Sequence, residues 1–184
     1  MGTRRNDPDR RDRIIDAALE VIAADGVAGT SHRRVAARAG VPLGSMTYHF
    51  TGMDQLLHES LARFATRVSD RFEQRLASAG APAEVADAVV ELILQDVFDD
   101  PDSLVVTLEL YTLAARRTEF RDLTHDWMAR SRASLERHLP PSTARQLDAL
   151  IEGLSIHHAL DPGPYTRALV RAAVERVIAV PTRA

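Results

Sequence analysis

An all-α fold of about nine helices follows from three observations on this chain. Every segment with a hydrophobic period shows the helical one, with apolar residues three and four positions apart, and none alternates with period two over a useful length. Proline, glycine and cap-forming residues stand where those segments begin and end. Three short helices precede six longer ones, which divides the chain into a small head, residues 1–51, and a larger helical body, residues 52–184.

The first helix has a start signal at Asp7-Pro8, buries Ile14, Ile15, Ala18, Leu19 and Ile22, and ends at Gly26. Thr30 or Ser31 can cap the second by accepting from its free amides. That helix buries Val35, Ala36 and Ala39 and keeps Arg33, Arg34 and Arg38 outside. Gly40 supplies the backbone freedom for a tight turn, and a third short helix ends in Tyr48-His49-Phe50. Thr51-Gly52-Met53-Asp54 reads as a capping box opening a long fourth helix, along which Leu57, Leu61, Phe64, Val68, Phe72 and Leu76 recur until Gly80. With no flexible linker at residues 51 and 52, the join between head and body is rigid.

After Ala81-Pro82, a fifth helix carries Val85, Val89, Leu92, Ile93 and Val97 and stops at Asp99-Asp100-Pro101. Residues 103–116 are more apolar, as expected of a helix surrounded by others. Phe120, Leu123, Trp127 and Leu135 mark the seventh helix, ended by Pro140-Pro141. Leu147, Leu150, Ile151, Leu154 and His158 mark the eighth, closed by Asp161-Pro162-Gly163-Pro164. Leu169, Val170, Ala173, Val174 and Val177 mark the last.

Residues 30–57 carry the functional signal: two short helices joined by a three-residue turn have the layout of a helix-turn-helix, whose second helix can lie in the major groove of DNA. From Gly26 to Met53 there are three arginines, two histidines and no acidic residue. Residues 1–51 hold eight Arg against six Asp and Glu, net +2, and residues 52–184 hold fifteen against twenty, net −5. A duplex would therefore meet the head and not the body. The chain has no cysteine, which excludes disulfides and thiolate metal sites, and no apolar run long enough to span a bilayer, so the cytosol is the expected compartment.

The pattern Thr30-Ser31, Val35-Ala36, Ala39-Gly40-Val41, Gly44-Ser45-Met46, His49-Phe50 and Leu56-Leu57 resembles the TetR family of transcriptional regulators over residues 10–57. The resemblance implies a homodimer on a palindromic double-stranded DNA operator, usually a repressor, released by a small-molecule effector. It implies that Arg33, Leu43, Gly44, Ser45, Thr47 and Tyr48 face the groove, with Thr30, Ser31, Tyr48 and His49 near phosphates. The chemistry of the individual residues agrees in part. Arg33 can pair with guanine, Ser45 can meet a base edge, Gly44 permits close backbone approach, and Leu43 and the Thr47 methyl can pack on a thymine methyl. Hydroxyls and His49 suit phosphate oxygens. Two positions depart from the usual pattern: the family carries tyrosine where Thr47 stands and lysine where Met53 stands.

In the body, an effector pocket is expected between the long helix and the three after it, with Phe64, Leu92, Gln95, Leu108, Tyr111, Trp127 and His158 as candidates. For each apolar residue, the alternative is ordinary core. Arg63, Arg67, Arg71 and Arg75 recur every four residues and read as a solvated face with weak ion pairs. His157, His158 and Asp161 have helical spacing that a metal could use, although a helix C-terminus favours histidine without one. Residues 143–179 supply Leu150, Gly153, Leu154, Leu169, Ala172, Ala173 and Val177 as a stripe for a homodimer seam. No cofactor is expected, and neither a nucleophile motif nor a glycine-rich phosphate loop points to an enzyme. Rival readings are a DNA-binding dimer without an effector and a helical small-molecule enzyme or carrier.

Overall fold

The computed structural model describes residues 9–96 and 101–179, and among them every regular element is helical. The start signal at Asp7-Pro8, together with Val97 and Asp99-Asp100, lies outside the described residues. The helices are α1 (Arg10–Gly29), α2 (His32–Ala39), α3 (Gly44–His49), α4 (Met53–Leu76), α5 (Pro82–Glu91), α6 (Pro101–Arg116), α7 (Arg121–Glu136), α8 (Pro141–Leu160) and α9 (Arg167–Ile178). A π-helical turn at Leu92–Asp96 continues α5, and a 3-10 turn at Thr118–Phe120 leads into α7.

Local chemistry explains the ends. Ser31, extended at φ −148°, accepts from the Arg34 amide at 3.4 Å and so starts α2. Gly40 stops it at φ +65°. The Val41 amide reaches back to the Ala36 carbonyl at 3.0 Å and the Gly40 amide to Ala37 at 3.3 Å, the paired bonds of a Schellman end. Gly52 rather than Thr51 is the last residue before α4. The side chain that reaches back is Gln55, whose Oε1 accepts from the Thr51 amide at 2.7 Å, while Asp54 turns to Arg117 at 2.9 Å. Helix α9 starts at Arg167, where Thr166 accepts from the Leu169 amide at 3.2 Å.

Three apolar clusters stack along the molecule. The head cluster joins Ile14, Ile15, Val21, Val35, Ala36, Met46 and Phe50 with Leu56 from α4. The middle cluster joins Leu19 and Ile22 of α1 to Leu57, Leu61 and Phe64 of α4, Val106, Leu110 and Leu113 of α6, and Phe120 and Leu123. The far cluster gathers the end of α4 with α5, α7, α8 and α9 around Leu76, Val89, Leu135, Leu147 and Val170. Packing therefore crosses the boundary expected at residues 51 and 52: Leu56 closes the head, while Leu19 and Ile22 belong with the body. Burial of a Leu or Ile side chain contributes about 1.5–3 kcal/mol, so α1 is fixed from both faces.

Ion pairs reinforce that junction. Arg63 of α4 pairs with Asp12 and, at 3.4 Å, with Asp16 of α1, and Arg67 meets Asp16 at 2.6 Å. Arg11 pairs with Glu59 and lies over the Phe50 ring, 5.1 Å from its centroid. Arg63 and Arg67 thus pair across to α1 from a partly exposed face of α4.

Candidate nucleic-acid interface and body cavity

Helices α2 and α3 cross through Val35, Ala36 and Met46, all buried, and this seats the turn between them on the surface of the head. Phe50 at 2 % exposure anchors the far end of α3. The arginines of α2 are not equivalent. Arg34 meets Asp25 of α1 at 2.7 Å and Arg38 pairs with Glu20, whereas exposed Arg33 has no hydrogen-bond or ion-pair partner among the described residues. Its guanidinium is the one on α2 left free for an outside acceptor.

Leu43 is 54 % exposed and Tyr48 83 %, and Thr47 is exposed beside them. Gly44 needs no glycine for the protein's own sake: its φ is not positive, and a Cβ there would meet nothing within 4 Å. The room it leaves faces outward. Ser45 differs from the expectation. It is buried at 9 % exposure beside Met46, on the face of α3 that packs on the head. Spacing explains this: Ser45 and Met46 share the inner face of a helix only six residues long.

Hydroxyl geometry also sorts the expected phosphate contacts. Thr30 donates its Oγ1 hydrogen to the Gly26 carbonyl at 2.8 Å and its amide to Val27 at 3.1 Å, so neither donor is open to a phosphate. Ser31 accepts from Arg34 and keeps its own hydrogen to give. Thr47 donates to the Gly44 carbonyl at 3.3 Å, which leaves its methyl as the outward group. His49 is half-buried, its ring edge-on to Tyr48 at 4.9 Å. The structure exposes Arg33, Leu43, Gly44, Thr47 and Tyr48 on one helix-turn-helix, with Thr30, Ser31 and His49 partly buried beside them and Ser45 buried.

The body holds a cavity of about 50 Å³. Its walls are Val68 and Phe72 of α4, Thr107 and Tyr111 of α6, Trp127, Met128 and Ser131 of α7, and Asp148, Ile151 and Glu152 of α8. Tyr111 and Trp127 stack at 6.0 Å with 28° between their planes, and Phe64 meets Trp127 edge-on at 6.0 Å. Burial pushes the Asp148 carboxyl up to about 6 despite Arg132, whose guanidinium is 3.6 Å away. Burial also raises the Glu152 carboxyl, against a hydrogen bond from Tyr111 that lowers it. The Tyr111 hydroxyl is raised in turn, by burial first and by the Glu152 charge second.

Only Tyr111 and Trp127 of the expected effector residues line this cavity, with Phe64 behind Trp127. Leu92 is core of the far cluster, Gln95 and Leu108 are exposed, and His158 sits at the end of α8 with its ring 6.1 Å from Tyr165. Sequence reasoning missed Asp148 and Glu152. Their signal was available: two acids four residues apart flank the buried face Ala144, Leu147, Ile151 and Ser155. At the helix end, His157 Nδ1 lies 3.0 Å from the Tyr165 hydroxyl and Asp161 accepts from the Gly163 amide at 2.8 Å. No group of three metal-ligating side chains converges among the described residues.

A model of the tetR family of bacterial regulatory proteins matches residues 14–60, and one of the tetracyclin repressor-like C-terminal domain matches residues 80–180. The chain belongs to the TetR family of transcriptional regulators. Its fold is similar to that of SCO7518 from Streptomyces coelicolor A3(2), described as a transcriptional regulator. That match has 52 % identity and a TM-score of 0.89, over 94 % of this chain and 100 % of that one. The multidrug binding protein EbrR complexed with ethidium is similar at 34 % identity and a TM-score of 0.77, over 93 % and 99 % of the two chains. The HTH-type transcriptional regulator BetI of Agrobacterium fabrum is 31 % identical over 92 % of this chain and 86 % of its own. This TetR-family chain is thus a helix-turn-helix transcriptional regulator, and among its described residues no helix is long and apolar enough to cross a membrane.

Proposed function

We propose that this regulator is a repressor that binds an inverted-repeat operator as a homodimer in the cytoplasm and leaves it when a small molecule enters the body cavity. The observation that carries the DNA reading is the outward set Arg33, Leu43, Gly44, Thr47 and Tyr48 on a head whose other α2 arginines are internally paired. Arg33 offers a paired contact to guanine, Leu43 and the Thr47 methyl suit thymine, and Tyr48 and Ser31 supply hydroxyls for the backbone. No catalytic chemistry is required.

Support for the dimer comes from the outer faces of α8 and α9. Leu160 is 60 % and Leu169 49 % exposed, and a Cβ at Gly153 would meet nothing within 4 Å. Glycine inside a helix costs about 1 kcal/mol against alanine, and no contact among the described residues offsets that. Close approach of a second copy accounts for it. Two heads would then address successive major grooves about 34–36 Å apart.

The effector reading rests on the cavity and on the family's repressor-like body domain. Ligand sites run to about 300–1,000 Å³, so a ligand must part α6 and α7 from α8. Helix α4 forms another wall and begins beside α3, so that motion reaches the DNA-facing surface. Ligand and operator would oppose each other by one coupling free energy, about 1–3 kcal/mol in common cases. The small volume favours one rival, a dimeric DNA binder with no effector.

The deciding experiment mixes purified protein with random duplex DNA and sequences what it retains. An enriched inverted repeat supports the reading, and no enrichment at low salt ends it. Operator release across a compound panel separates effector control from its absence.

A further inference from the structure

We propose that the body cavity selects an organic cation, with the charge held by Asp148 and Glu152 and the hydrocarbon part laid against Tyr111 and Trp127. The inference deepens the effector reading above and rests on it. Asp148 and Glu152 stand one turn apart on α8 and face the same apolar space. Two guanidiniums act on Asp148, Arg132 at 3.6 Å and Arg145 of the same helix, and the Asp148 side chain is 19 % exposed. Glu152 has the Tyr111 hydroxyl as its partner and no guanidinium.

Glu152, with no such partner among the described residues, is then a negative charge without a counter-ion in a wall that includes Phe72, Ile151 and Met128. Such a charge is costly to bury unless it is paired. A neutral guest leaves it unpaired and an anion adds repulsion, whereas a cation completes it. The stacked rings of Tyr111 and Trp127 add the face that attracts a desolvated cation. Ser131, at 6 % exposure, lines the same space and has no hydrogen-bond partner among the described residues, so it has a hydrogen bond left for a guest.

Trp127 is the chain's single tryptophan, so its fluorescence reports the cavity without a label. The test titrates phenyltrimethylammonium and its neutral isostere, tert-butylbenzene, into the full chain at pH 8. The expected result is saturable quenching by both, with the cation at least tenfold tighter. The double variant Asp148→Asn, Glu152→Gln should bring the two within about twofold while leaving affinity for the neutral compound in place. Wild-type protein at pH 5 should move in the same direction without a substitution. Lower pH protonates Asp148, held at about 6, and carries Glu152, raised by burial, toward its neutral form, while Arg132 of α7 and Arg145 of α8 stay charged and Tyr111 neutral, so the cation should weaken and its isostere should not.

Equal affinity for the two compounds at pH 8 overturns the charge selection and leaves the cavity as an effector site. A cation preference that survives both the double variant and pH 5 also overturns the proposal, because it places the charge recognition elsewhere. If neither compound changes Trp127 emission or melting temperature while the same protein holds its operator, the effector reading falls along with this one.

Discussion

Arg33 differs from its neighbours on α2 in having its charge uncommitted. Arg34 and Arg38 are tied to Asp25 and Glu20 of α1, in exposed pairs of a kind that contribute about 0–1 kcal/mol. Arg33→Ala should therefore leave the melting curve within about 0.5 kcal/mol of wild type, because nothing inside the chain is lost. It should weaken operator binding by about 1–3 kcal/mol and relax the preference at one base pair. Fluorescence anisotropy against single-base operator variants measures both effects, and unchanged affinity removes Arg33 from the interface. Gly40 is the opposite kind of residue, needed by the fold and not by DNA. At φ +65° a side chain is strained even with open space around it, so Gly40→Ala should destabilise the protein by about 1–2 kcal/mol. Chemical denaturation with an unchanged midpoint would show that the turn has another conformation.

Helix α6 is the element that touches both working regions. Thr107 and Tyr111 line the cavity, and Glu109 between them accepts from the Val27 amide of α1 at 3.1 Å. That amide follows the break at Gly26, where φ is +70° and a Cβ would come within 2.8 Å of the Glu109 carboxylate. Gly26 and Glu109 thus form a joint between a cavity wall and the approach to α2. Glu109→Ala should leave the Val27 amide open and speed its hydrogen exchange at least tenfold, with little change at α9. Equal exchange in the two proteins would dissolve the joint. Helix order, the Gly40 turn and the outward α2 residues were legible in the sequence because local chemistry sets them. The cavity was not. It depends on which faces of α6, α7 and α8 meet, and periodicity names a face without naming its neighbour. The burial of Ser45 was not legible for a related reason, since six residues give too little period to separate inside from outside. Residues Leu19 and Ile22 were assigned to the head on period alone, and only the packing with α4 and α6 reveals them as body.

At the scale of the whole molecule, two predictions test stability and assembly. Burial holds Asp148 at about 6, above the ordinary 3.8, so its folded form keeps a proton that the unfolded chain gives up. Its contribution to stability is fully present below about pH 4 and is lost as pH rises through about 6. The upward shift means that burial outweighs Arg132, so Asp148→Asn should raise Tm at pH 8 and change it little at pH 4. For a chain of this length the gain is on the order of 2–4 °C per kcal/mol. A gain that is larger at pH 4 would reverse the assignment. For assembly, Leu169→Glu places a charge on the exposed face of α9 without touching its buried side, Val170 and Val174. Sedimentation should show a monomer with wild-type helicity whose grip on an inverted repeat falls more than tenfold, and a persisting dimer would move the seam elsewhere. The three stacked clusters bear on protein engineering. Because α1 shows its Ile14 side to α2 and α3 but its Leu19 side to α4 and α6, a head excised at residue 51 would carry an exposed greasy flank. A chimaera built to swap operator preference should graft α2 and α3 alone and retain the recipient's own first helix.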